Sequence, residues 1–364
     1  LDYNERTLKL PEQLMIHELA EGAMGALDDF SSVIWPHDLD QFRRTMHGEF
    51  SGVGIQISRR FDAERGLYEL LVVTPLPDTP AYRAGVRAGD IISRVDDTNT
   101  AGWSLDEAVR RITGPEGTTV KLTIERQVEE DVIETIQYPI RRQRIPIDSV
   151  RGWQRLEDGT WNYYIDRDQR IGYIRLSQFL KQTADDLDDA VEHMRNDAGL
   201  DALVLDLRLN PGGLLDAAWK VTDRFIAGGD IVATVDMSGE PTDRPYRARR
   251  HGTYDDIPVV VLINEHSASA SEIVAGALQD HGRATIVGTR SFGKGSVQNL
   301  FKIDGENALL KLTTQYYQLP NGRIIHRKPG AEKWGVEPNL KVEMTEKQIA
   351  DLFELRQKVD IVHQ

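Results

Sequence analysis

Two short runs, Leu203-Val-Leu-Asp-Leu207 and Val259-Val-Val-Leu-Ile263, have almost no polar face. A strand of that kind has to be covered on both sides, as parallel strands between helices are. The surrounding chain fits this requirement. Ile171–Leu176 reads as a further strand, Thr183–Arg195 as an acidic amphipathic helix, Leu214–Phe225 and Glu272–Gln279 as helices, and Thr285–Val287 as a strand. Strand, crossover helix and strand at this spacing predict a mixed sheet with parallel neighbours, and hence an α/β (mixed α+β) fold.

The first 48 residues have a different texture. Leu14, Ile16, Leu19, Met24 and Leu27 recur at three- and four-residue spacing among Glu and His, a helical pattern, and a second short helix is predicted over Asp38–Met46. The ordinary use of such a segment is packing or self-association. From Glu49 the period shortens to two: Val53, Ile55 and Ile57 alternate with small or polar residues, as do Tyr68, Leu70 and Val72. A strand Ile91–Val95, a helix near Ser104–Ile112 and a strand Val120–Arg126 complete a β-rich module. Its helix opens on a Ser104/Glu107 capping box and closes at Gly114-Pro115. A charged connector, Glu129–Ile147, follows. The chain is expected to divide into a helical segment (1–48), a β-rich module (49–128) and an α/β core with closing strands and helix (129–364). At roughly 150 residues per domain, 364 residues suffice for this.

Composition removes several function classes. The 44 Lys and Arg against 58 Asp and Glu give a net charge of −14, so a nucleic-acid coat is not expected, and the cluster Arg244, Arg247, Arg249 and Arg250 reads as a solvated loop. The absence of Cys excludes disulfide scaffolds, thiolate zinc sites and cysteine nucleophiles. No H-E-x-x-H or EF-hand loop is present, and His251, His266 and His281 are scattered, so neither a metal nor another cofactor is predicted. No apolar run reaches the ~18 residues of a transmembrane helix, and Leu1–Arg6 does not read as an export signal.

Three segments could carry chemistry. Asn264-Glu-His-Ser-Ala-Ser-Ala-Ser-Glu-Ile273 lies where an apolar strand turns into a helix, whose first amides point outward and stabilise an oxyanion. Ser269 at that corner is well sited to attack a carbonyl, although Ser269 with Glu272 also fits an ordinary capping box. Gly288-Thr-Arg-Ser-Phe-Gly-Lys-Gly-Ser-Val-Gln298 sets Lys294 between two glycines. A lysine desolvated there would have its pKa lowered and could act as general base, whereas on an open turn it would be solvated. The same loop approaches a phosphate-binding G-x-x-x-x-G-K-[ST] but has Gly295 at the hydroxyl position, and the P-loop reading fails. Asp206-Leu-Arg-Leu-Asn-Pro-Gly-Gly-Leu214 can present amides through its paired glycines, or can be plain turn chemistry.

Taken together, and in their order along the chain, the three segments resemble the C-terminal processing (tail-specific) serine peptidases, a Ser-Lys family with an embedded PDZ domain. Ser51-Gly-Val-Gly-Ile55 resembles the carboxylate-binding loop of that domain, and the likeness runs from about Leu14 to Val342. The resemblance implies Ser269 as nucleophile, Lys294 as general base and Gln298 as the group that orients the amine. It implies backbone oxyanion donors at Ala270 and Gly213, with Gly212 the second candidate for the latter. It implies a peptidase core, with residues 49–128 as a PDZ-like domain that binds polypeptide C-termini through the amides of Val53, Gly54 and Ile55. Leu105, Ala108 and Val109 of the helix would face apolar terminal side chains, though core packing explains some of them. Leu209, at a site often polar in the family, and a somewhat long insert, Lys328–Trp334, are the departures. Endopeptidase activity through an acyl-enzyme, in an extracytoplasmic bacterial compartment, is the implied function. A second copy of the chain or an activator protein is left open as a partner. An inactive PDZ-bearing scaffold, or a ligand-binding protein on the same fold, is the alternative.

Overall fold

The computed structural model describes residues 10–36, 38–39, 42, 50–63, 65–76, 78–129, 132–145, 148–156, 158–249, 254–303, 307–328 and 330–360. The helix predicted over Asp38–Met46 lies largely outside the described residues, as do Arg250 and His251. The chain forms two units: residues 1–47, 149–151 and 164–343, and residues 48–148, 152–163 and 344–364.

The first unit is built on the sheet that the apolar runs predict. Its strands run Val150–Arg151, Ile171–Leu176, Ala202–Asp206, Val259–Ile263, Ala284–Gly288 and Leu340–Lys341, with Tyr164–Asp166 added against Ile171–Leu176. The five from Ile171–Leu176 to Leu340–Lys341 are parallel, with Leu205 level with Ile174 on one side and Val261 on the other. Ile174, Leu205 and Val261 are wholly buried, as strands covered on both faces must be. The helices Thr183–Asn196, Leu215–Asp223 and Ala270–Asp280 are the crossovers. Residues Ala270 to Leu278 of the last are all buried, so this helix is interior on every side and carries Ser271 and Glu272 into the core at its start. A second, antiparallel sheet carries Ser32–Ile34 and Asp230–Val235 on the long strand Leu309–Gln318, which also forms a hairpin with Ser296–Lys302. The helix Glu12–Gly25 has no buried residue, and Leu19 is 74% exposed.

The second unit is an antiparallel sheet of order Ile55–Asp62, Leu67–Pro75, Ile91–Val95, Thr119–Glu129 and Val132–Arg141. Val72, Ile92, Leu122 and Ile124 form its core with Ala108 and Ile112 of the helix Leu105–Ile112. Ser104 Oγ accepts from Glu107 N at 3.1 Å, so the N-cap read from the sequence is in place. The connector reading differs from what is found: Val132–Arg141 pairs along Thr119–Glu129, and the boundary at residue 128 would cut that hairpin. The closing helix Glu346–Asp360 also groups with this unit, beside the short strand Gln154–Arg155, not with the α/β core.

Candidate active site

The strand Val259–Ile263 ends at a corner whose shape is set by hydrogen bonds from two loops. Ser267 Oγ donates to Leu207 O at 2.8 Å and accepts from Asn264 N at 2.9 Å. Asn264 Oδ1 accepts from Leu209 N at 2.9 Å. Asn210, itself buried, binds in three directions. Its Nδ2 donates to Leu176 O, its carbonyl accepts from Ala268 N and Ser271 Oγ, and its Oδ1 accepts from Gly212 N at 2.9 Å. The loop 207–213 and the loop 264–269 are thereby one structure.

Ser269 caps the helix Ala270–Asp280 at φ 56° and ψ −114°, a left-handed conformation that is costly for a side chain larger than glycine. Gly212 lies against it. A Cβ on Gly212 would fall 2.8 Å from Ser269 Cβ and 3.0 Å from Ala270 N, so the missing side chain leaves a small cradle at the hydroxyl-bearing carbon and the first helical amide. That amide has no intrahelical acceptor by helix geometry. Gly213, at φ 146°, sits so close to Phe179 that a Cβ would meet its carbonyl oxygen at 2.2 Å.

Glu272 joins this corner to the lysine loop. Its carboxylate is wholly buried and accepts four hydrogen bonds: Ser291 Oγ (2.6 Å) and Gly293 N (2.7 Å) on Oε1, Ser269 N (2.8 Å) and Lys294 N (2.8 Å) on Oε2. The backbone nitrogens of Ser269 and Lys294 are therefore each one hydrogen bond from the same oxygen. Burial raises the Glu272 pKa above the usual carboxylate range, against the pull of the four donors. The sequence signal for Glu272 is its place three residues after Ser269, which reads only as a cap.

Lys294 is half-buried, and its pKa lies below the ordinary lysine value. Desolvation is the chief cause and repulsion from Lys311 adds to it, while Glu272 opposes both. Its Nζ stands 5.0 Å from the centre of the Phe30 ring. Gln298 lies on the adjoining strand, where its Nε2 donates to Ser296 Oγ at 2.9 Å and to Thr313 Oγ1 at 3.3 Å. The Lys328–Trp334 insert packs on the lysine loop: Trp334 stands between Arg290 and Arg327, 4.2 and 4.6 Å from its ring, and fills the space a Cβ on Gly293 would need. His266 is exposed with Nε2 3.7 Å from Glu265. Among the described residues no group of three or more His, Asp or Glu could hold a metal ion.

In the second unit, the loop before the strand Ile55–Asp62 is fixed by three bonds. Gly54 O accepts from Leu76 N (2.8 Å) and Thr79 Oγ1 (3.0 Å), and Val53 O from Ala81 N (2.8 Å). Gly54 holds φ 78°, and a Cβ there would meet Thr79 Cβ at 2.2 Å, so the close approach requires glycine. Among the described residues Ile55–Asp62 pairs only with Leu67–Pro75, which leaves it an edge strand. Val53 and Ala108 belong to the core and Leu105 is exposed, so of the apolar residues predicted to face a bound terminus, Leu105 and the half-buried Val109 remain accessible.

The sequence matches peptidase family S41 over residues 170–342 and the PDZ domain over residues 71–126. A carboxy-terminal-processing protease of Bartonella bacilliformis is 42% identical over 335 residues, covering 91% of this chain and 70% of the relative. A carboxyl-terminal-processing protease of a Synechocystis species is 34% identical across 100% of this chain and 78% of its own length. Among solved structures, the photosystem II D1 C-terminal processing protease superposes with a TM-score of 0.52 at 29% identity, over 94% of this chain and 86% of that one.

Proposed function

Because the chain belongs to peptidase family S41, the carboxy-terminal-processing proteases, we propose that it cleaves polypeptides at a Ser269–Lys294 site through an acyl-enzyme. The observation that carries this reading is the Glu272 carboxylate, which binds the backbone of both residues on one oxygen and so unites a corner and a loop 25 positions apart in sequence.

In the proposed cycle, neutral Lys294 Nζ takes the Ser269 Oγ proton as the oxygen bonds to the scissile carbonyl carbon. The carbonyl oxygen becomes an oxyanion, held by the amides of Ala270 and Gly213. Gly212 N is the weaker candidate because its hydrogen is already given to Asn210. Collapse of the intermediate breaks the C–N bond, and the departing amine takes the proton from the Lys294 ammonium. A water, deprotonated by the neutral Lys294 amine, then attacks the ester carbonyl, and the Lys294 ammonium returns the proton to Ser269 Oγ as the ester C–O bond breaks. Desolvation of Lys294 supports the role, since the base must be uncharged at working pH. The carbonyl end of Gln298 would steer the amine. Ser269→Ala and Lys294→Ala should each lower kcat at least about a thousandfold on an internally quenched peptide, with circular dichroism unchanged. Unimpaired cleavage by either variant overturns the proposal.

Substrate choice falls to the second unit. A chain terminus adds as a strand on the free edge of Ile55–Asp62, its carboxylate on the amides of Val53, Gly54 and Ile55. Amidating the C-terminus of a substrate peptide should raise KM about tenfold or more with kcat unchanged; equal KM values would refute capture by the terminus. We further place the enzyme in the bacterial cell envelope, because the relatives it matches are bacterial carboxyl-terminal-processing proteases; cell fractionation checks this.

A further inference from the structure

Four donors converge on Asp28, in the segment that leads into the strand Ser32–Ile34. Its Oδ1 accepts from Phe30 N (2.7 Å), Ser31 N (2.8 Å) and Thr313 Oγ1 (3.1 Å), and its Oδ2 from Ser31 Oγ (2.8 Å). Ser31 Oγ in turn accepts from Thr313 N at 3.1 Å, so the turn is fastened to both polar groups of Thr313. These bonds hold the carboxyl pKa of Asp28 below the usual range despite the cost of burial.

The consequence lies one residue further on. A threonine hydroxyl has a single proton, and that of Thr313 goes to Asp28. Its oxygen therefore meets Gln298 as an acceptor only, and Gln298 Nε2 donates to it at 3.3 Å and to Ser296 Oγ at 2.9 Å. The two hydrogens of the amide nitrogen are thereby used, and Oε1 is the end left for another donor. Gln298 and Thr313 are paired across the hairpin, so the arrangement is held by backbone register as well.

We infer that Asp28 is a positioning residue for the peptidase site: through Thr313 it fixes which end of the Gln298 amide faces Lys294. Without the carboxylate, the Thr313 hydroxyl is free to turn its proton toward Gln298, which draws Oε1 to it. The amide then rotates and presents its nitrogen to the lysine, donor against donor. The same turn carries Phe30 to its place 5.0 Å from Lys294 Nζ. The N-terminal segment on this account positions the amide that partners the lysine. The inference rests on the proposed role of Gln298 as partner of the lysine.

The test uses the full chain, an internally quenched peptide with a free apolar C-terminus, and separate kcat and KM values. Asp28→Ala should lower kcat about tenfold with KM unchanged, as expected of a misplaced catalytic group. Asp28→Asn keeps the Oδ1 acceptor and should stay within about twofold of wild type. Gln298→Ala should lower kcat, and adding Asp28→Ala to it should bring no further loss. Thr313→Val, which keeps the shape of the side chain, should reproduce the Asp28→Ala loss even if the latter folds poorly. Wild-type kcat in Thr313→Val, or additive losses in the double variant beside an impaired Gln298→Ala, would sink the relay and leave the Ser-Lys reading standing. Normal turnover by Gln298→Ala would overturn the role of Gln298 and the relay with it.

Discussion

Two residues at the corner, Leu209 (φ 65°) and Ser269 (φ 56°), hold a backbone conformation that costs on the order of 1–3 kcal/mol each outside glycine. Both amides are fixed, one by Asn264 and the other by Glu272, so the surroundings over-determine the strain. Leu209 reads in the sequence as a departure; in the structure its amide is one of the bonds that tie the two loops together. The lysine gives a prediction at this scale. Its pKa is lowered by burial first and by Lys311 second, so kcat/KM should rise with pH along a limb set by the loss of the Lys294 proton, below the ordinary lysine range. In Lys311→Gln the repulsion is gone and the limb should move to higher pH; a pH profile identical to wild type would refute the assignment. A lysine depressed in the folded state binds fewer protons there than in the unfolded chain between the two pKa values, so it disfavours folding as pH falls below the ordinary lysine value and does so fully below its native pKa. Lys294→Met should therefore lose turnover without losing thermal stability.

The helix Ala270–Asp280 was legible as an element from its small, apolar residues, and the Ser269/Glu272 spacing was legible as a cap. What a cap motif does not state is that the carboxylate has three more donors on a loop far along the chain, Ser291 Oγ, Gly293 N and Lys294 N. Glu272→Gln tests that joint. A carboxamide has one acceptor oxygen, so its NH2 faces at least one backbone N–H whichever way it turns, and burying that donor unpaired costs about 1–3 kcal/mol. Denaturant melts should show that loss, and kcat should fall with it, because Ser269 and Lys294 hang on the same oxygen. The strand Val132–Arg141 failed to announce itself for a different reason. Its first four residues are exposed on both faces, so the alternation that marks a half-buried strand is missing there, and Glu and Gln read as a linker.

At the scale of the molecule, the two units have separate cores, one around the parallel sheet and one around Val72, Ile92, Leu122 and Ile124. Leu122 is wholly buried, and Leu122→Ala should cost about 2–5 kcal/mol. Calorimetry should show the transition of the PDZ-bearing unit moving down while that of the α/β unit stays in place; a uniform shift of all unfolding would mean that the cores melt as one. The parallel sheet and its crossover helices followed from apolar periodicity, which is a local property of the chain. Ser269, Lys294 and Gln298 are singled out as a set only by the resemblance, since cap spacing and glycine flanks by themselves leave ordinary readings open. The joining of residues 28–31, 207–213, 264–272, 291–298 and 313 into one hydrogen-bonded site followed from neither. Those contacts are made between groups whose separation in sequence carries no signal, and only the folded backbone brings each donor to its acceptor.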